Sequence, residues 1–194
     1  MMTLRDSLTL YRGQVIALWP VYDALAGNAC QIYLRNGEVK LHPRSLNLVL
    51  RDYLRLWALD RQALQRLYAP DDKDRLLAPL AVTADHTLLP LKARKPIGVH
   101  DGAYAYLEAE SIDPKRLQED AEGVLCSIGA FEFSLHCSLR QMRLMLGRGA
   151  ACAERYRTLN VAAQAGVSSK MYLQQWTVLQ GIVNQSMAQM IAEG

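Results

Sequence analysis

No apolar run in this 194-residue chain approaches the roughly 18 residues of a membrane-spanning helix, so no membrane association is expected. The start, Met1-Met2-Thr3-Leu4-Arg5-Asp6, lacks an apolar stretch followed by a small-residue cleavage site. The expected location is therefore the cytoplasm. Cysteine is scarce. Cys30, Cys126, Cys137 and Cys152 are scattered, and no pair has metal-ligand spacing. Reduced thiols and no bound metal are the expectation. Gly-x-Ser-x-Gly, Gly-x-Gly-x-x-Gly, Walker A and His-Glu-x-x-His motifs are all missing. Gly147-Arg148-Gly149 is no phosphate cradle, because no strand leads into it. His136 and Cys137 are neighbours at a strand end, which points them to opposite faces. They read as a surface imidazole and a buried thiol. Neither catalytic residues nor a cofactor are expected. Low-complexity linkers and internal repeats are absent too.

What is present is a globular composition, with 51% hydrophobic and 21% charged residues. A packed core is within reach, and disordered and disulfide-scaffold classes are excluded. Charge is unevenly placed. Residues 1–100 hold 14 Lys/Arg against 9 Asp/Glu, residues 101–132 hold 2 against 8, and residues 139–175 hold 6 against 1. Two basic regions thus flank an acidic one, the pattern of a nucleic-acid footprint or of solvated faces.

Strand patterns come first. Gln14 to Trp19 is a short apolar run that Pro20 should close. The runs 30–34 and 38–41 flank Arg35-Asn36-Gly37, a strong hairpin signal because Asn and Gly tolerate positive φ. After Pro43 the period changes. Leu46, Val49, Leu50, Tyr53, Leu54 and Trp57 share one helix face, and Asp60 is placed to cap a second helix carrying Leu64, Leu67 and Tyr68. Strands resume at Leu76–Val82 and Thr87–Leu91, where Pro79 and Pro90 argue for edge positions. Ala103–Leu107 is a further strand. Asp113–Glu122 reads as a short acidic helix or loop, and Val124–Ser127 with Ala130–Leu135 reads as a hairpin turning at Ile128-Gly129. Ser138 and Gln141 fit a capping box opening a helix with the stripe Leu139, Met142, Leu146. Gly147 and Gly149 should interrupt or kink that helix, with a new one from about Ala150.

Asn160 to Ser168 has helix-turn-helix spacing: small Ala162, then Gly166 four residues on, then Ser168 as an N-cap. Lys170 would lie near the N-terminus of the recognition helix. The competing reading is an ordinary helical hairpin. Beyond it the stripe Tyr172, Trp176, Leu179, Val183 and Met187 suits a dimer interface. Besides Lys170, the candidate DNA-binding residues form two groups. Lys92, Arg94 and Lys95 read as a loop bounded by Pro90 and Pro96, while Arg140, Arg143, Arg148, Arg155 and Arg157 fall in the helical third.

The order of these pieces resembles the competence transcription factors of the ComK type over about residues 11–157. The resemblance is carried by the hairpin at Ile32-Tyr33-Leu34, by Pro43 leading into 45–53, and by Ala78-Pro79-Leu80 with Thr87-Leu88-Leu89-Pro90. Its clearest part is Gly129 to Leu135 running into Ser138-Leu139-Arg140-Gln141-Met142-Arg143, similar to the family's turn, strand, Ser and Gln-x-x-Arg. The chain departs from the family in having no glycine over 50–62 and Ala103-Tyr104-Ala105-Tyr106 in place of Cys-x-Trp. The resemblance implies an activator that binds A/T-rich double-stranded promoter DNA through the minor groove, assembles as homo-oligomers, and is delivered to a Clp protease by an adaptor protein.

The resulting expectation is an α+β protein with a mostly antiparallel β-sheet body (1–137, with a helical insertion over 44–68) and a helical C-terminal third (138–194). Its expected role is a DNA-binding transcription regulator. The alternative is a protein–protein interaction module with no DNA role.

Overall fold

A computed structural model describes residues 11–69, 77–96 and 102–164. Contacts divide the chain into two compact units, Met1–Ala153 and Glu154–Gly194. The first is α+β. Its strands are β1 (Val15–Asp23), β2 (Gly27–Leu34), β3 (Val39–His42), β4 (Leu80–Thr83), β5 (His86–Lys92) and β6 (Tyr104–Glu108), in the order β3-β2-β1-β6-β5-β4. Every pairing is antiparallel. The sheet is therefore two three-stranded meanders joined through β1 and β6. Between the meanders the chain forms α1 (Leu46–Leu56) and α2 (Arg61–Tyr68). A small sheet of β7 (Gln118–Glu119), β8 (Val124–Ile128) and β9 (Phe131–Leu135) precedes α3 (Leu139–Gln164).

Local chemistry explains most of these elements. The β2–β3 hairpin turns on Gly37, whose φ of 89° only glycine adopts without strain. The α1 stripe buries Leu46, Val49, Leu50, Tyr53 and Leu54. Asp60 Oδ1 accepts from the Ala63 N–H at 2.9 Å and so caps α2. The Ser138–Gln141 capping box forms as expected: Gln141 N–H donates to Ser138 Oγ at 3.2 Å, and Ser138 N–H to Gln141 Oε1 at 2.9 Å. Met142, one turn later, is fully buried.

The two faces of the large sheet are read from alternation along β6. Ala105 and Leu107 join Ile16, Leu89 and Leu91 in one core with Cys126, Ile128, Phe133 and Leu135 of the small sheet and Met142 of α3. Tyr33 and Trp19 extend it, with ring centroids 4.9 and 5.3 Å from Phe133. Glu108, on the opposite face, meets His86, which in turn meets Tyr53 of α1. All four cysteines are free, and burial pushes the Cys30 thiol up to about 12 and Cys126 up to about 11.

Several sequence expectations are corrected. Pro20 does not close β1, which continues to Asp23; beyond Leu18 the strand pairs only with β2, so a missing N–H is tolerated. Pro90 sits in interior β5, not at an edge. Pairing with β4 ends at Leu88, so Pro90 has a strand partner on one side only. The edge strand β4 begins at Leu80, and Leu76 lies outside the described residues. The acidic segment holds a 3-10 turn, Pro114–Arg116, and then the strand β7. Most telling, Gly147 and Gly149 do not interrupt the helix. α3 is continuous for 26 residues, and Gly149 is where it touches the sheet: a Cβ there would lie 2.5 Å from Leu89 Cδ2. The glycine permits close packing instead of breaking the helix. The helix-turn-helix and dimer-stripe readings, with Lys170, fall outside the described residues.

Candidate functional site

A cavity of about 420 Å³ opens where the end of β5 meets the beginning of α3. The His136 N–H donates to the Lys92 carbonyl at 2.8 Å, which ties the chain after β9 to the end of β5. Both residues line the cavity. The capping box then aims α3 so that Gln141, Met145 and Arg148, four and three residues apart, line the same cavity. Leu77, Pro90, Leu91, Tyr104 and Leu144 form the rest of its largely apolar wall.

The polar lining is a set of donors. Lys92 and Arg148 are cationic, and His136 presents an imidazole. Gln141 has its carbonyl oxygen engaged by Ser138, so its amide NH₂ is the group left to offer. Among the described residues, no Asp or Glu lines the cavity. Cys137 also lines it; burial raises its thiol above the ordinary value, which keeps it neutral. Such a lining suits an anion of phosphate size and geometry.

The sequence-derived residues are distributed as follows. Lys92 and Arg148 come together here. Lys92 is the last residue of β5, not a loop residue as expected. Arg94 is turned elsewhere: its Nε donates to the Gly102 carbonyl and its Nη2 to Asn28 Oδ1, each at 2.9 Å, with the guanidinium 3.8 Å over the Tyr22 ring. Lys95 is exposed beyond it. Arg140 and Arg143 are exposed on α3. Helical geometry sets Arg148, Arg140 and Arg143 successively around the solvent side of that helix. Arg155 and Arg157 belong to the second unit, where Arg157 pairs with Glu154 at 3.3 Å.

His136 was expected on the surface with Cys137 on the opposite face. Both instead are half-buried and line one cavity, because the chain turns at Leu135–Cys137 before α3 begins.

The sequence reading also missed a buried network on the other face of the large sheet. Glu108 is 1% exposed. Its Oε1 accepts from His86 Nδ1 at 2.7 Å, and both oxygens lie near Arg35 Nη2, at 2.7 and 2.6 Å. Ser111 Oγ donates to Oε2. The far nitrogen of His86 meets the Tyr53 hydroxyl at 3.0 Å. Trp57 stacks on the imidazole, and Arg12 lies 4.2 Å over the indole. Burial pushes the Glu108 carboxyl up, but the hydrogen bonds of His86 and Ser111 and the charges of His86 and Arg35 outweigh it. The net direction is below the ordinary carboxylate value. Burial likewise pushes the Tyr53 hydroxyl up to about 12. This chain of groups joins α1, β5, β6 and the β2–β3 hairpin.

Among the described residues, no three His, Cys, Asp or Glu side chains are grouped to hold a metal. No described helix is long and apolar enough to cross a membrane. Compared with family models, with curated proteins and with solved structures, the chain gave no match.

Proposed function

We propose that this chain is a cytoplasmic regulator that binds double-stranded DNA through the cavity at the end of β5 and the exposed side of α3. The observation that supports it is the convergence of Lys92, His136 and Arg148 on one cavity that no carboxylate lines among the described residues. A backbone phosphate is the group such a wall receives. Arg140 and Arg143, exposed on the same helix, extend the basic surface to neighbouring phosphates. Neutralising phosphates releases condensed counterions, so the attraction is electrostatic and depends on salt. The resemblance noted in the sequence alone supplies the finer parts: preference for A/T-rich sites, homo-oligomer assembly, and turnover by an adaptor and a Clp protease.

A protein-interaction role is the second reading. It is favoured by edge strand β3, where Val39 and Leu41 are 42% and 50% exposed on one face.

Fluorescence anisotropy with labelled A/T-rich and G/C-rich duplexes tests the first reading. Tighter binding to the A/T-rich duplex is expected, weakening linearly on a log–log plot as salt rises. Absence of binding to either duplex at low salt overturns it in favour of the second.

A further inference from the structure

The two edges of the large sheet differ. At one, Leu80, Ala81 and Val82 of β4 are all buried. At the other, β3 lies open, and no strand among the described residues pairs with its outer side. We propose that this side pairs with β3 of a second copy of the chain, antiparallel, about a two-fold axis at Val39. The proposal rests on the exposed β3 edge of the second reading and not on DNA binding.

Three observations select this occupant. First, the register tells which backbone groups face outward. The Leu34 N–H donates to the Glu38 carbonyl at 2.9 Å, so these two form a hydrogen-bonded pair. Such pairs alternate with non-hydrogen-bonded ones along an antiparallel ladder. Val39, opposite Tyr33, and Leu41, opposite Gln31, are therefore of the second kind. Their N–H and C=O groups point away from β2, while those of Lys40 point toward it. A two-fold axis at Val39 lets the two Val39 residues exchange both backbone hydrogen bonds. Second, the charges are self-complementary in that register. Glu38 and Lys40 lie 2.9 Å apart within one chain. The axis sets Glu38 of each copy directly opposite Lys40 of the other, in the closer pair type with about 4.5 Å between Cα atoms. An edge lysine ordinarily discourages pairing, but here each meets a carboxylate across the axis. An axis at Lys40 would oppose the two lysines. One at Leu41 would bring in Pro43, which has no N–H to donate. Third, Val39 and Leu41 are 42% and 50% exposed on the other face of the strand. Pairing sets the Val39 side chains against each other and Leu41 opposite Gly37 of the second copy, where no side chain intrudes.

Analytical ultracentrifugation of the full chain without DNA, across a concentration series, tests the proposal. Wild type is expected to show a concentration-dependent equilibrium between monomer and dimer. Glu38→Lys and Lys40→Glu each set like charges across the axis, and each is expected to weaken the dimer about tenfold or more. The pair they break is exposed, so unfolding midpoints are expected to hold. An equimolar mixture of the two variants restores opposite charges at both positions and is expected to dimerise as wild type does. Val39→Pro removes an outward N–H, which an edge strand tolerates, and is expected to be monomeric. Should Val39→Pro fail to fold, the charge variants and their mixture decide. A wild type that is monomeric at every concentration overturns the proposal and leaves the edge to a strand of another protein. A dimer that both charge variants keep at full affinity, or a mixture that does not recover it, also overturns it. With no duplex present, these outcomes are separate from those of the duplex titrations.

Discussion

Glu108 is the group on whose charge the buried network between α1, β5, β6 and the β2–β3 hairpin depends. It is buried, and Arg35, His86 and Ser111 all direct donors at it. Gln at this position keeps the shape but turns an NH₂ toward groups that are themselves donors. Removing one partner of a buried ion pair is strongly destabilising, and the half-exposed Arg35 moderates that through solvent screening. Glu108→Gln is expected to lower unfolding stability at neutral pH by about 2–3 kcal/mol, measured by urea denaturation. The pH dependence follows from the sign of the shift. A carboxyl held below its ordinary value stabilises the fold above the unfolded-state pKa of about 4.3, and that stability is lost as pH falls through the folded value. The gap between wild type and variant should therefore be widest near neutrality and close in acid. A gap that grows on acidification would show that Glu108 is not held ionised by this network. None of this was legible in the sequence. Period-2 alternation places Tyr104, Tyr106 and Glu108 on one face of a strand, but the partners of Glu108 come from positions 35, 86 and 111, and Tyr53 joins through His86. Only the fold brings them together.

At the scale of elements, local signals were reliable and tertiary contacts decided the exceptions. The Asn36-Gly37 hairpin, the Asp60 cap and the Ser138–Gln141 box each depend on residues within a few positions, and each forms where expected. The 139–164 helix is the opposite case. Its two glycines look alike in sequence, yet Gly147 faces open space while Gly149 lies against the fully buried Leu89. They should respond in opposite directions to alanine. Gly147→Ala is expected to stabilise by about 0.5–1 kcal/mol through backbone entropy and helix propensity. Gly149→Ala is expected to destabilise by about 1–2 kcal/mol, because the added methyl must displace a side chain in a close-packed core. Thermal or urea unfolding of the two single variants checks this, and destabilisation by both would mean that helix continuity rests on something other than the Leu89 contact. The prolines teach the same lesson. Pro20 and Pro90 were read as strand ends or edges, yet both lie within strands where one neighbour has already stopped pairing.

At the scale of the whole molecule, charge distribution was legible but its use was not. The basic count of residues 1–100 includes Arg44, Arg51 and Arg55, which surround Asp52 at 3.3, 3.4 and 3.7 Å. It also includes Arg94, whose donors go to Gly102 and Asn28. Counting therefore overstates the first basic region. What the fold contributes is the meeting of Lys92, from the sheet, with His136 and Arg148, from the corner and body of α3. The central claim is that this meeting point receives DNA phosphates, and the salt dependence of binding tests it most directly. Anisotropy titrations of an A/T-rich duplex across a salt series should be run on wild type and on the Lys92→Gln/Arg148→Gln double variant, with matched unfolding midpoints. Each lost phosphate contact should reduce the log–log slope by about 1. The account predicts weaker binding and a slope shallower by about 2 in the double variant. An unchanged slope and affinity would contradict it and move any DNA-contacting surface away from this cavity.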